Sequence, residues 1–316
     1  MKNQTASGGM AVDLSIEQLR ESFEQQGYIA DQETIVTVYL ALKLKKPLLV
    51  EGPPGVGKTE IAKVLSAVFD AELIRLQCYE GLDENKALYE WNYQKQLIRI
   101  QLSQVNRDAQ CTNVEDSLFS EEYLLERPLL KAIRAEKRPV LLIDEVDKVD
   151  QEFEAFLFEV LSDFQVSIPE WGTLNARQIP IVVLTSNAER EISDGLKRRC
   201  IYLYLDFPSP EKELRIINAK VPGIGQRLSL EVARAVNYIR EQLLLRKKPS
   251  ISETLDWARA VVALDADRLT PDIVNFSLNL IFKNKDDIDT FRQELGTQGL
   301  VNYLNGNGKP GNGGKG

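Results

Sequence analysis

The stretch Val50–Thr59, VEGPPGVGKT, places Gly52, Gly57, Lys58 and Thr59 at the spacing G-x-x-x-x-G-K-[ST]. Glycines let a backbone close around an anion, and the free N–H groups of such a loop and of the next helix's first turn point at it. At that spacing a lysine reaches the β- and γ-phosphates of a nucleoside triphosphate, and a hydroxyl ligates Mg²⁺. Those roles fall to Lys58 and Thr59. The binding segment then runs through Gly52, Pro53, Pro54, Gly55, Val56, Gly57, Lys58, Thr59 and Glu60. The alternative is a glycine-rich turn with no ligand. Against it stands the context, an apolar run before (PLLVE) and a helical pattern after (EIAKVLSAVF).

A second constellation is VLLIDEVD, 140–147, an apolar strand ending in Asp144 and Glu145. Adjacent carboxylates at a buried strand end repel one another unless a cation is near. The expected division of labour gives Asp144 the Mg²⁺ shell, and Glu145 orients or deprotonates an attacking water. Asp147 and Asp150 are read as helix-start acids. The strand PIVVLTSN ends in Asn187, whose amide could meet the γ-phosphate or the water, because ligands bind at the carboxyl edge of such sheets. In LKRRC, Arg198 and Arg199 are either a solvated turn or a source of guanidinium for a neighbouring subunit's γ-phosphoryl group. Action in trans requires a head-to-tail ring.

The elements that must position these groups are legible as runs. PLLVE (47–51), LIRLQ (73–77), PVLLID (139–144), PIVVLTS (180–186) and IYLYL (201–205) suit strands buried on both faces of a parallel sheet. Helical patterns lie between them at Lys58–Phe69, Tyr123–Glu136 and Gln151–Asp163. Alternation of this kind predicts an α/β domain over residues 1–207. From Phe207-Pro-Ser-Pro210 onward only helical periodicity remains, which predicts an all-helical domain over 208–304. The glycine-rich end, 305–316, is expected to stay disordered. Between Cys78 and Ser120, a run rich in aromatics followed by strand-like alternation predicts a short α/β insertion.

Composition narrows the classes further. The 316 residues are 43% apolar and 27% charged, with a net charge of −8, which argues against a dedicated nucleic-acid binder. No apolar run is long enough to span a membrane, and the N-terminus lacks a secretory pattern. The expected location is the cytoplasm. Cys78, Cys111 and Cys200 suit neither a disulfide framework nor a zinc site. Histidine is absent, so any general base must be a carboxylate.

Together these motifs resemble the AAA+ ATPases, and within them the MoxR family, over about Leu14 to Tyr303. GPPGVGKT looks like Walker A, LLIDEVDK like Walker B, VLTSN like sensor 1 with Asn187, and LKRRC like the arginine-finger segment with Arg199 as the finger. Gln77 falls where that family places the partner of the catalytic glutamate. The segment Arg75–Leu97, RLQCYEGLDENKALYEWNYQKQL, resembles the stretch leading into a helix-two insert, and DFQVSIPEWGTLNARQIPIVVLTSN looks like a presensor hairpin facing the ring's pore. Its Trp171 either grips a client or neighbour there or folds back on its own domain. The lid segment PSISETLDWARA departs from the family, since no arginine stands where sensor 2 is expected.

The resemblance implies a P-loop (AAA+) five-stranded parallel sheet with a small all-helical lid. It implies Mg²⁺-dependent hydrolysis of ATP by a homo-oligomer, most often a hexamer. The work done would be remodelling, maturation or metal/cofactor insertion of a protein client, often beside a partner carrying a von Willebrand factor A domain. The competing reading is a nucleotide-gated scaffold with little turnover. A DNA-acting loader and a small-molecule kinase fit the charge balance and the helical half less well.

Overall fold

The computed structural model describes residues 14–105, 119–169 and 171–306. Cys111 and all of the expected tail beyond residue 306 lie outside these. The chain divides into two compact units. One comprises Met1–Ser22, Asp31–Glu51 and Thr59–Tyr204, the other Phe23–Ala30, Gly52–Lys58 and Leu205–Gly316.

The first unit is built on strands β1 (Leu48–Glu51), β2 (Leu73–Gln77), β3 (Tyr89–Trp91), β4 (Leu124–Glu126), β5 (Val140–Asp144), β6 (Gln165–Ile168), β7 (Gly172–Asn175), β8 (Ile181–Ser186) and β9 (Ile201–Tyr204). Five of them form the expected parallel sheet, in the order β2-β5-β8-β1-β9. Every residue of the central strands β5 and β8 is buried, which is why their sequences are continuous apolar runs rather than alternating ones. The register sets Gln77 opposite Asp144 and Glu51 opposite Ser186, so the candidate site residues share the carboxyl edge. Side-chain caps fix the flanking helices. Asp31 accepts from Thr34 N at 2.9 Å, and Asp150 from Phe153 N at 2.8 Å, as its helix-start reading requires.

Two local expectations are corrected. The pattern read as a helix over Tyr123–Glu136 begins instead with a 3₁₀ turn at Glu121–Tyr123 and strand β4, and the helix runs only over Pro128–Arg134. Pro128 sets the start, since proline suits a helix's first position and pushes the residue before it into extended conformation. Upstream, β4 pairs antiparallel with β3, and that pairing overrides helical periodicity. Conversely, the alternation in QKQLIRIQ belongs to the helix Tyr93–Val105, opened by Asn92, whose Oδ1 accepts from Lys95 N at 3.0 Å. Helix Glu84–Ala87, β3, the long helix and β4 make up the α/β insertion.

Trp171 takes the second of its two alternatives. The hairpin β6–β7 forms as expected, but Trp171 folds back from it. Its Nε1 donates to Phe119 O at 2.8 Å, and its ring meets that of Trp91 edge-on at 6.1 Å. The Arg134 guanidinium lies 5.7 Å from the ring centre. A side chain held on three sides is committed to its own unit.

In the second unit the helices Pro210–Lys220, Gln226–Gln242, Ile251–Ala263, Pro271–Ile281, Lys285–Glu294 and Gly296–Leu304 enclose a core centred on Trp257, whose Nε1 donates to Ser277 Oγ at 2.8 Å. A buried bidentate pair ties three of them together: Arg240 Nη1 and Nη2 donate to Glu213 at 2.6 and 2.8 Å, and Thr254 Oγ1 donates to Glu213 at 2.7 Å. Every group of that network is satisfied, as a buried charge requires.

The packing of Trp171 predicts the effect of its removal. Trp171→Ala should lower the unfolding free energy by about 3 kcal/mol in urea denaturation, the scale for deleting a large packed aromatic. Unchanged stability would return Trp171 to the role of an exposed grip.

Candidate functional site

The loop Gly52–Gly57 joins β1 to the helix Lys58–Val68. Two of its glycines are dictated by close approach. Gly52 has φ +154°, and a Cβ there would lie 2.0 Å from Leu205 O. Gly55 has φ +77°, and its Cβ would meet Ser250 Oγ at 2.2 Å. Only glycine fits either position. Pro53, Pro54, Val56 and Gly57 complete the turn. Lys58 is buried, and its Nζ donates to Gly52 O at 2.6 Å and Pro53 O at 2.8 Å, so the ammonium sits over its own loop. Ser252 Oγ donates to Gly55 O at 3.3 Å from the start of the helix Ile251–Ala263. Ser250 caps that helix in a capping box with Glu253. No arginine takes part: Arg259 pairs with Asp256 at 3.1 Å.

Within the first unit, Thr59, Asp144, Glu145 and Gln77 come together. Asp144 is 4% exposed. Its Oδ1 accepts from Thr59 Oγ1 at 3.0 Å and Thr185 Oγ1 at 2.6 Å. Its Oδ2 accepts from Arg75 Nε at 3.1 Å and Arg75 Nη2 at 2.5 Å. Glu145 follows in the left-handed region (φ 59°, ψ 49°), an unusual conformation for a non-glycine residue and one that concentrates at functional sites. Its backbone N donates to Thr185 Oγ1 at 2.9 Å, while its Oε2 accepts from Gln77 Nε2 at 3.0 Å and pairs with Lys148 Nζ at 3.2 Å. The bond and charge of Glu145 raise the pKa of Lys148. Glu60 is not part of this cluster; it pairs with Lys63 at 3.2 Å.

Asp147 is more than a helix-start acid. It is buried, and its Oδ2 accepts from Asn187 N at 3.1 Å and Glu189 N at 3.0 Å, which clamps the turn that presents Asn187. Buried Glu154 clamps the next stretch, accepting from Arg190 Nη2 and, at 2.8 Å, from Ser193 N. That stretch leads into the helix Asp194–Arg199. Arg198 and Arg199 are exposed there, and the Arg199 guanidinium lies 4.7 Å from the centre of the Phe158 ring. Among the described residues neither arginine is hydrogen-bonded to Asp144 or Glu145. Cys78 is no nucleophile: burial first, then the charges of Asp144, Asp147 and Glu145, push its pKa up to about 12.

The residues fit Mg²⁺. A hydroxyl and a carboxylate 3.0 Å apart offer the hard oxygen donors that this ion takes. Among the described residues no group of three or more His, Cys, Asp or Glu stands ready to hold a metal. Thr185, Arg75, Asp147 and Glu154 were missed by sequence reasoning. Thr185 and Arg75 stand out only as polar residues inside mainly apolar strands, which names no partner.

Fold and edge together define a phosphate-loop α/β protein. Residues 47–200 match the family described as AAA domain (dynein-related subfamily), so this segment of the chain is similar to that family. The chain is 28% identical to chaperone protein ClpB 1 of Nostoc sp. (strain PCC 7120) over 54% of its own length and 18% of that protein's, so it spans less than a fifth of that relative. It is 22% identical to an uncharacterized protein of Staphylococcus aureus (strain USA300), covering 70% of this chain and 77% of that one. Among solved structures, the Thermotoga maritima RuvB Holliday junction branch migration motor is similar, with a TM-score of 0.48 and 18% identity over 84% of this chain and 74% of that one. Among the described residues no helix is long and apolar enough to cross a membrane.

Thr185 Oγ1 both donates to Asp144 and accepts from Glu145 N, so one hydroxyl sets both acids. Thr185→Val, equal in shape, should cost about 2–3 kcal/mol in chemical denaturation, the scale for stranding buried polar groups. Thr185→Ser should recover most of that. Equal stability of all three proteins would deny the hydroxyl this part.

Proposed function

We propose that this chain is a Mg²⁺-dependent ATPase of the MoxR kind, acting as a homo-oligomeric ring that remodels or matures a protein client. The observation that carries the catalytic part is the Gln77–Glu145 bond of 3.0 Å beside the Thr59–Asp144 bond of 3.0 Å. In this reading the N–H groups of the loop Gly52–Gly57 and the Lys58 ammonium hold the phosphates. Thr59 and Asp144 would hold Mg²⁺, which when bound would supply neutralising charge to the phosphates. Glu145 accepts the proton of the attacking water, and Gln77 holds its carboxylate in place. Asn187, on its clamped turn, donates to the γ-phosphate or the water.

Arg199, with Arg198 beside it, serves a neighbouring subunit's site. Their exposure and their lack of a bond to Asp144 or Glu145 support action in trans over action in cis. The hexamer, the client and a von Willebrand factor A partner rest on the MoxR resemblance; the similarity to ClpB, named a chaperone, supports the client reading. The charge of −8 favours a protein client over DNA, and a cytoplasmic location accompanies the proposal.

One observation favours a second reading, a nucleotide-gated scaffold. The helix Ile251–Ala263 meets the loop with serines and no arginine. Steady-state phosphate release separates the two readings.

Glu145→Gln should retain ATP affinity while turnover falls roughly 10²–10⁴-fold, the range for a lost general base. Near-normal hydrolysis would remove Glu145 from the mechanism.

Arg199→Ala should bind ATP yet hydrolyse roughly 10³–10⁵-fold more slowly, as for other arginine fingers. Mixing it with Lys58→Ala subunits should restore part of the activity, since each supplies what the other lacks. A dead mixture, with co-assembly proven by sedimentation, would place Arg199 outside the trans mechanism.

A further inference from the structure

Arg75 lies in the middle of β2, an edge strand, between buried Ile74 and Leu76. Strand alternation puts Arg75 and Gln77 on one face, and the register sets Gln77 opposite Asp144. From there the guanidinium bridges two residues of the site. Nη2 donates to Asp144 Oδ2 at 2.5 Å and also to Gln77 Oε1, and Nε donates to the same Asp144 oxygen at 3.1 Å. The two N–H groups of Nη2 therefore serve two different residues.

A carboxamide has one accepting end and one donating end. With Oε1 taken by Arg75, Nε2 is the end presented to Glu145, 3.0 Å from its Oε2. The flipped amide would set its oxygen against the Glu145 carboxylate and its NH₂ against a guanidinium, and both contacts repel. Glu145 and Cys78 O, which accepts from Nε2 at 3.4 Å, favour the same end, and Arg75 adds the one contact that holds the accepting end. A lysine or an apolar residue at position 75 would lack the planar fork that meets both partners.

We propose that Arg75 is a positioning residue for the hydrolytic site. It anchors the accepting end of the Gln77 carboxamide, which holds the donating end on Glu145 and, through it, the placement of the Glu145 carboxylate. It also balances the buried charge of Asp144. The catalytic side of this rests on the reading of Glu145 as the base; the orientation of Gln77 does not.

The test compares Arg75→Met, Gln77→Leu and the double variant. Arg75 is 54% exposed, so its replacement leaves the core intact. Arg75→Met should lower kcat about ten- to a hundredfold, with KM for MgATP moving less than about threefold, because the interaction lost serves the transition state more than binding. If Arg75 works through Gln77, the double variant should be no slower than Gln77→Leu alone. Multiplying losses would overturn the proposal, as would unchanged kcat in Arg75→Met.

A nucleotide-free measurement reads orientation directly. In protein labelled with ¹⁵N-glutamine, the Gln77 side-chain NH₂ signals are identified by their absence from Gln77→Leu. In Arg75→Met they should move toward the positions of solvent-exposed glutamine; signals that stay in place would overturn the proposal. Wild-type protein without ATPase activity would sink the functional reading, and the NMR result would still decide for or against the orienting role.

Discussion

A single carboxylate, Asp144, sits at the end of the central strand β5 with 4% of its surface exposed. An isolated ionised carboxylate in such a place is prohibitively costly, so the surrounding chain must supply donors. It does so from both sides of the sheet. Because β5 lies between β2 and β8, Arg75 arrives from one neighbour and Thr185 from the other, while Thr59 arrives from the helix Lys58–Val68. The order of the strands is thereby part of the chemistry. Exchanging β2 and β8 for other neighbours would leave the acid buried and unpaired.

The same device recurs along the carboxyl edge. Asp147 holds the turn at Asn187 and Glu189, and Glu154 holds the stretch at Arg190 and Ser193. Asp147 takes two backbone N–H groups on Oδ2, and Glu154 takes one backbone N–H and the Arg190 guanidinium, so these loops are tied to rigid elements. Glu145 and Ala188 have φ near 59°, a conformation that costs of order 1–3 kcal/mol and persists only where neighbours over-determine it. Thr185 and Gln77 do that for Glu145. A site meant to act on a charge that appears only in the transition state benefits from groups fixed in advance.

Much of this was legible in the sequence, and the division is physical. The five sheet strands could be placed to within a residue because burial on both faces forces unbroken apolar runs. The phosphate loop was legible because its glycines are set by close backbone approach. QKQLIRIQ misled because its apolar positions satisfy a short stretch of alternation, and the helix was decided by the cap at Asn92. The strand at Leu124–Glu126 was hidden because its partner, Tyr89–Trp91, is remote in sequence. Arg75 was invisible as a site residue for the same reason: Asp144 lies 69 positions away, and only the parallel register brings the two together.

Among the described residues, the ion pairs that hold buried Glu213 and buried Asp144 are built differently. Glu213 and Arg240 are 0% and 5% exposed, and both oxygens of Glu213 meet the guanidinium. That pair is closed on all sides and fixes helices. Arg75, by contrast, spends two N–H groups on Oδ2 of Asp144 alone, and Oδ1 is left to two hydroxyls. A guanidinium is a fixed fork, whereas a hydroxyl can rotate and offer a lone pair instead of a proton. In the proposed reading, Thr59 and Asp144 would hold Mg²⁺, whose charge would add to that of Arg75 beside the buried acid. Under that reading, a carboxylate with one oxygen on a fixed guanidinium and the other on rotatable hydroxyls would serve as both anchor and ligand.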